Sequence, residues 1–118
     1  MSNFQQLEVW QKARVLARDI YKETRSFPRE EMFGLASQMR RAAISIVSNI
    51  AEGKGRGSRG AYRSFLIFAR GSALELEAQL IIASDLEFLS AIEAQPLIEK
   101  TTEVARMING IIQHLDRQ

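Results

Sequence analysis

Apolar residues recur along the chain at steps of three and four, which is the period of an α-helix. The first such stripe predicts a helix from about 5 to 25, and Pro28 ends it because the residue before a proline avoids helical geometry. The second predicts a helix from about 30 to 52. Pro28 and the acidic pair Glu30/Glu31 suit its N-terminus, and Gly53 is the expected left-handed C-terminal stop.

Two further helices complete the pattern. The third is predicted from about 59 to 88, with Ser58 as its N-cap. Its core stripe consists of Tyr62, Phe65, Ala69, Ser72, Leu76, Leu80 and Ala83. The fourth is predicted from about 91 to 116. Ser90 and Glu93 have the spacing of a capping box, which would leave Pro96 inside the helix; alternatively, the regular helix begins at Pro96.

Four amphipathic helices joined by short links predict an all-α fold of one domain, residues 1–118. Short connections favour antiparallel neighbours, so we expect an up-down-up-down four-helix bundle. No alternating strand pattern of useful length is present.

The third helix carries apolar residues on a second side, almost opposite its core stripe. One bundle covers only one such face well, so the second indicates self-association; the alternative is a merely wide core stripe. The predicted interface residues are Ile67, Leu74, Ala78, Ile81 and Phe88.

Charge is distributed unevenly along the chain. Residues 40–70 contain seven basic residues and one acidic residue, whereas residues 71–118 contain three basic and eight acidic ones. The basic segment 40–70 is expected to attract a polyanion, or to bind the acidic segment of a neighbouring subunit. The sequence has no cysteine, no secretory signal pattern and no apolar run long enough for a membrane span. We therefore expect a cytoplasmic protein with no membrane partner.

A glycine-rich basic segment links the second and third helices. Gly55 to Gly60 spell the G-x-G-x-x-G string, but the strand and βαβ unit that this fingerprint needs are not predicted, and no Walker pattern occurs. Nucleotide binding is thus disfavoured. The cations of the segment suit phosphate contacts, and the alternative is a solvated hinge. The candidate nucleic-acid-binding residues are Arg40, Arg41, Lys54, Arg56, Arg59 and Arg63.

Residues that would indicate catalysis are scarce. His114 is the only histidine and has no second histidine or cysteine with which to share a metal, and Glu75 and Glu77 lie on different helix faces. We therefore predict no enzyme, no catalytic residue, no metal and no cofactor. Polar residues within apolar stretches are expected to form a buried network that fixes helix register, the alternative being a partner-facing site. They are Asn49, Glu52, Ser72 and Glu75.

Several segments resemble one known family. The matching pieces are LEVWQKA (residues 7–13), GLASQMRRAAISIVSNIAEG (34–53), FLIFARGSALELEAQL (65–80), Phe27-Pro28, Arg56 and Ser58. The chain resembles the four helix bundle protein family, also called 23S ribosomal RNA intervening-sequence proteins, over essentially its whole length. It departs from the family pattern at Val47, where a proline is usual, and before Tyr62, where an acidic residue is usual.

The resemblance implies a four-helix bundle that assembles as a ring-shaped homo-oligomer, a homopentamer. A related branch, the accessory proteins of diversity-generating retroelements, binds a reverse transcriptase and nucleic acid. Two hypotheses follow for this chain. It binds nucleic acid, structured RNA ahead of DNA, through the basic segment, or it is a scaffold that presents a ring face to a protein partner such as a reverse transcriptase.

Overall fold

Four α-helices account for most of residues 3–118, the part of the chain that the computed structural model describes. They are α1 (Glu8–Thr24), α2 (Leu35–Gly55), α3 (Arg59–Asp85) and α4 (Ala91–Asp116). Two short 3-10 turns, Asn3–Gln6 and Arg29–Glu31, precede α1 and α2. No strand occurs within this range, and the predicted all-α fold is confirmed.

The start of α2 differs from the prediction. Pro28 is followed by the short 3-10 turn, and α2 begins at Leu35 rather than near Glu30. Gly34 has φ −109° and ψ −114°, which is not a helical conformation, so the backbone cannot run straight from the turn into the helix. Glu31 acts from outside α2, because its carboxylate accepts a hydrogen bond of 3.2 Å from the Leu35 backbone N–H.

The predicted stop at Gly53 is wrong. α2 continues to Gly55, and the left-handed glycine is Gly57, with φ +81°. Gly53 is buried inside the helix, where an added Cβ would lie 2.7 Å from Cβ of Phe65 and 3.3 Å from the carbonyl oxygen of Tyr62. Glycine is needed there for the close approach of α2 and α3 rather than for a turn.

α3 begins as predicted, since the Ser58 hydroxyl accepts a hydrogen bond of 3.2 Å from the Ala61 backbone N–H. It ends at Asp85, three residues earlier than predicted, and Glu87 takes a positive φ of 63° shortly afterwards. The buried stripe also differs in part from the prediction, because Tyr62, Phe65 and Ser72 are only half-buried. The fully buried residues are Leu66, Ala69, Ala73, Leu76, Leu80 and Ala83.

α4 begins with the capping box that its sequence predicts. The Ser90 hydroxyl accepts from the Glu93 backbone N–H at 3.1 Å, and the Glu93 carboxylate accepts from the Ser90 N–H at 2.8 Å. Pro96 lies inside the helix. The alternative start at Pro96 is therefore wrong.

The core is one continuous cluster to which all four helices contribute. Each helix packs against the next in the chain, and α1 also packs against α4. The largest fully buried side chains are Leu16, Ile20, Met39, Ile46, Ile50, Leu66, Leu76, Leu80, Leu89 and Ile108. Among the described residues, no helix has the length and apolarity required to cross a bilayer.

Candidate nucleic-acid interface

The α2–α3 loop forms a small groove at the N-terminus of α3. Its lining residues are Lys54, Gly57, Ser58, Arg59 and Tyr62, and its volume is about 260 Å³. The Lys54 ammonium lies 5.3 Å from the centre of the Tyr62 ring, within cation–π distance. Tyr62 is half-buried, and this burial raises the pKa of its hydroxyl. The groove thus joins two cations, a helix N-terminus and an uncharged phenol.

Two of the four cations predicted for the loop are paired with carboxylates of the same chain. Arg56 binds Glu52 at 2.6 Å and lies 5.2 Å from the centre of the Phe65 ring. Arg63 binds both carboxylate oxygens of Asp116, at 2.5 and 3.3 Å. The hydrogen bond from Arg63 lowers the pKa of the Asp116 carboxyl. Within residues 3–118, neither Lys54 nor Arg59 forms a salt bridge.

Arg40 and Arg41 do not join this groove. Arg40 donates to the Thr24 hydroxyl at 2.8 Å and to the Tyr21 carbonyl oxygen at 3.2 Å, and so ties α2 to α1. Arg41 is exposed and lines a different groove. At the helical rise of about 1.5 Å per residue, Arg41 lies about 20 Å from Lys54 along α2. The six predicted nucleic-acid-binding residues therefore do not lie in one groove, and Arg40 and Arg41 are separated from the α2–α3 loop.

A hydrogen-bonded chain of polar side chains connects α2 to α3. The Asn49 amide donates to the carbonyl and hydroxyl oxygens of Ser45, at 2.8 and 3.0 Å, and the Ser45 and Ser72 hydroxyls are 2.8 Å apart. Sequence reasoning missed Ser45, although its position four residues before Asn49 on the same helix face could have indicated it.

Glu52 and Glu75 do not belong to that chain. Both are exposed; Glu52 binds Arg56, and Glu75 accepts a hydrogen bond of 3.4 Å from the Gln79 amide. Glu52 lies two helical turns beyond Ser45 along α2, and Glu75 lines the same groove as Ser45 and Ser72 without a hydrogen bond to either among the described residues. The predicted four-residue network is thus corrected to Ser45, Asn49 and Ser72.

An exposed apolar surface covers the outer side of α3. Leu74 is 58% exposed and Ile81 is 46% exposed.

Two of the predicted interface residues do not belong to this surface. Phe88 lies beyond the helix end, with its ring 5.5 Å from that of Phe27. Ile67 is half-buried against the core. Two exposed residues that the sequence did not single out extend this surface around the helix: by helical rotation Ile82 lies about 80° and Phe68 about 120° from Leu74. We define the outer α3 face as Phe68, Leu74, Ala78, Ile81 and Ile82.

The described residues contain no group of three His, Asp or Glu side chains that could hold a metal ion. His114 is exposed at the end of α4, with its Nε2 atom 3.0 Å from the side-chain nitrogen of Gln118. The candidate site therefore offers cations, backbone N–H groups and hydroxyls, which are groups that bind anions.

Comparison with known proteins gives the family. Residues 5–110 match the 23S rRNA-intervening sequence protein family. A crystal structure of a protein of unknown function from the S23 ribosomal protein family of Bacteroides thetaiotaomicron VPI-5482 is similar in fold. It has a TM-score of 0.83 and 24% sequence identity, over 89% of this chain and 95% of that chain. No curated protein matches. Because the match spans most of its sequence, the chain belongs to the 23S rRNA-intervening sequence protein family.

Proposed function

We propose that this protein is a non-enzymatic, self-associating four-helix protein of the cytoplasm that binds nucleic acid, structured RNA, through phosphate contacts at the α2–α3 loop. The observation that carries the proposal is the groove at the start of α3. There Lys54 and Arg59 have no carboxylate partner within residues 3–118. Membership of a family named after ribosomal RNA intervening sequences is consistent with an RNA partner.

The chemistry of the groove favours phosphate over base edges. Arg59 lies in the first turn of α3, where unpaired backbone N–H groups and the helix dipole attract anions. Lys54 is held over Tyr62, so that ring face is not open to a stacked base. Such contacts give affinity and position with little sequence discrimination.

Contacts between successive helices support an antiparallel up-down-up-down bundle as the subunit. Between α2 and α3, Ser45 meets Ser72 and the later Gly53 meets the earlier Phe65. Between α3 and α4, Arg63 meets Asp116 and Arg70 meets Asn109. The outer α3 face supports self-association, since exposed apolar patches mark interaction sites. A ring-shaped homopentamer is the assembly that the family resemblance implies.

The salt dependence of RNA binding tests the loop. The slope of log affinity against log salt is negative, and each of Lys54→Ala and Arg59→Ala should reduce its magnitude by about 0.7–0.9, because each removes one phosphate contact. Arg106→Ala, which removes an exposed α4 cation, is the control and should leave the slope unchanged. A wild-type protein that retains neither RNA nor DNA at low salt would end the proposal.

The second candidate function is a scaffold for a protein partner. Phe33 is 97% exposed and Ile92 is 86% exposed, and such large apolar side chains suit contact with protein rather than with phosphate. The pairing of Arg56 and Arg63 with carboxylates also leaves fewer cations for nucleic acid. Oligomerisation that depends on salt, without nucleic-acid retention, would favour the scaffold.

A further inference from the structure

A line of cations runs along the exposed side of α1, away from the α2–α3 loop in the sequence. Arg14, Arg18, Tyr21 and Arg25 follow one another at steps of four, three and four, which places them on one helix face. Lys22 lies beside them, and all five side chains are exposed. We define the α1 basic stripe as Arg14, Arg18, Lys22 and Arg25.

Carboxylates adjoin the stripe at Lys22, which lines a groove with Asp19, Glu23 and Glu93. Within residues 3–118, none of its four cations takes part in a salt bridge. The α1 carboxylate of Asp19 binds Lys100 of α4 at 2.6 Å. Helical rotation places Glu23 on the side of α1 opposite Arg14. The positive charge of Arg14, Arg18 and Arg25 is therefore available to an external anion.

The neighbouring helix extends this positive surface. α2 has no acidic residue from Leu35 to Ala51. Its Arg40 lies beside the stripe, where it donates to the Tyr21 carbonyl oxygen and places its guanidinium 4.8 Å from the centre of the Tyr21 ring. This side of the protein thus combines the stripe with a fifth, positioned cation. Sequence reasoning missed it because the basic and acidic residues of the first 39 positions nearly cancel in number.

Two aromatic rings hold cations in place on this surface. The Arg14 guanidinium lies 5.6 Å from the centre of the Trp10 ring, and the Arg40 guanidinium covers the Tyr21 ring. The Trp10 ring is also packed edge-on against Phe4 at 4.9 Å, and its N–H is buried without a hydrogen-bond partner among residues 3–118. A guanidinium stacked on a ring loses less freedom when it binds phosphate. The same stacking occupies ring faces that an unpaired base would need.

We propose that the α1 basic stripe binds the phosphate backbone of a nucleic-acid duplex, as a second contact surface besides the α2–α3 loop. This inference rests on the proposed function for the class of partner. Arg14 and Arg25 are about 16 Å apart along the helix axis, which gives a straight, rigid row of cations. A rigid row suits the regular backbone of a duplex, whereas occupied aromatic faces do not suit single strands.

An anionic membrane is the main competing partner. A helix that lies in a membrane interface inserts its apolar face among the lipids. The apolar face of α1 is buried in the protein core, with Val9, Leu16 and Ile20 at most 2% exposed. A membrane would therefore be held by electrostatic attraction alone, without the apolar insertion that strengthens interfacial binding. Binding to nucleic-acid phosphates needs no such insertion, so nucleic acid is the favoured partner.

Salt-dependent binding of a short RNA duplex tests the stripe. Each of Arg18→Gln and Arg25→Gln should reduce the magnitude of the negative slope of log affinity against log salt by about 0.7–0.9. Arg106→Gln is the matched control, an exposed cation on α4, and should bind like the wild type. We also expect the duplex to bind more tightly than a single strand of the same length. Far-UV circular dichroism should show unchanged helix content in all variants.

The other outcomes overturn the proposal in separable ways. If Lys54→Ala weakens RNA binding while both stripe variants match Arg106→Gln, the stripe inference fails and the proposed function stands. If the wild type binds no RNA, both fail. Equal or tighter binding of the single strand overturns the assignment of a duplex. Stripe-dependent binding to vesicles of anionic phospholipid without RNA binding assigns a membrane instead. A lower particle mass of Arg18→Gln by light scattering assigns the stripe to subunit contacts.

Discussion

The glycines of the α2–α3 segment have different structural roles. Gly57 occupies a left-handed conformation, whereas Gly53 is helical and leaves room for Phe65 of α3. Gly55 is also in α2, but a Cβ added there would meet no atom within 4 Å. A sequence pattern that only counts glycines does not separate these roles.

Replacing Gly53 by alanine should destabilise the fold. Alanine improves helix propensity by about 1 kcal/mol, but the new Cβ would lie 2.7 Å from Cβ of Phe65, which cannot rotate away. We expect overpacking to dominate and the free energy of unfolding to fall by about 1–3 kcal/mol in urea denaturation. Gly55→Ala is the control and should be neutral or stabilising. A Gly53→Ala protein as stable as the wild type would contradict the close contact.

At the scale of the helices, the sequence correctly predicted those features that depend on contacts between neighbouring residues. The caps at Ser58 and Ser90 were correct because each donor and acceptor lie within four residues of one another. The end of α2 was wrong because a residue from another helix, Phe65, determines the role of Gly53. In the same way, the sequence placed Arg63 in a basic cluster but could not reveal its pairing with Asp116, 53 residues later.

The capping box of α4 gives a test at this scale. Ser90→Ala removes the acceptor for the Glu93 N–H, so the free energy of unfolding should fall by about 1 kcal/mol. Ser64→Ala, an exposed change inside α3, is the matched control and should not destabilise, since alanine is the better helix former. Chemical denaturation measures both. Equal loss in the two variants would show that the cap has no special contribution.

For the whole molecule, the outer α3 face is an apolar surface that the described part of the subunit leaves exposed. Most of its members are aliphatic or aromatic, and Phe68 is 61% exposed. A core formed by all four helices already covers the opposite side of α3. The sequence predicted this second apolar face from helical periodicity, but it misassigned Phe88, because α3 ends at Asp85 and not at the predicted residue 88.

Charge placed on the outer α3 face should prevent self-association. Leu74→Glu or Ile81→Glu should shift the light-scattering mass toward that of a monomer while circular dichroism stays helical, because a carboxylate in an apolar interface would be desolvated. Ile92→Glu changes an apolar residue that is 86% exposed but outside this face, and should leave the mass unchanged. A monomeric wild type would refute the proposed assembly.

The stacking of Arg14 on Trp10 also has a practical consequence. Trp10 is the only tryptophan of the chain. Fluorescence that is excited at a wavelength absorbed by tryptophan but not by tyrosine therefore reports on the surroundings of Trp10. Its ring lies directly beneath a cation of the α1 basic stripe. We expect an anion that draws the Arg14 guanidinium off the ring to alter the emission of the indole. The unmodified protein therefore carries its own optical probe of what binds along α1.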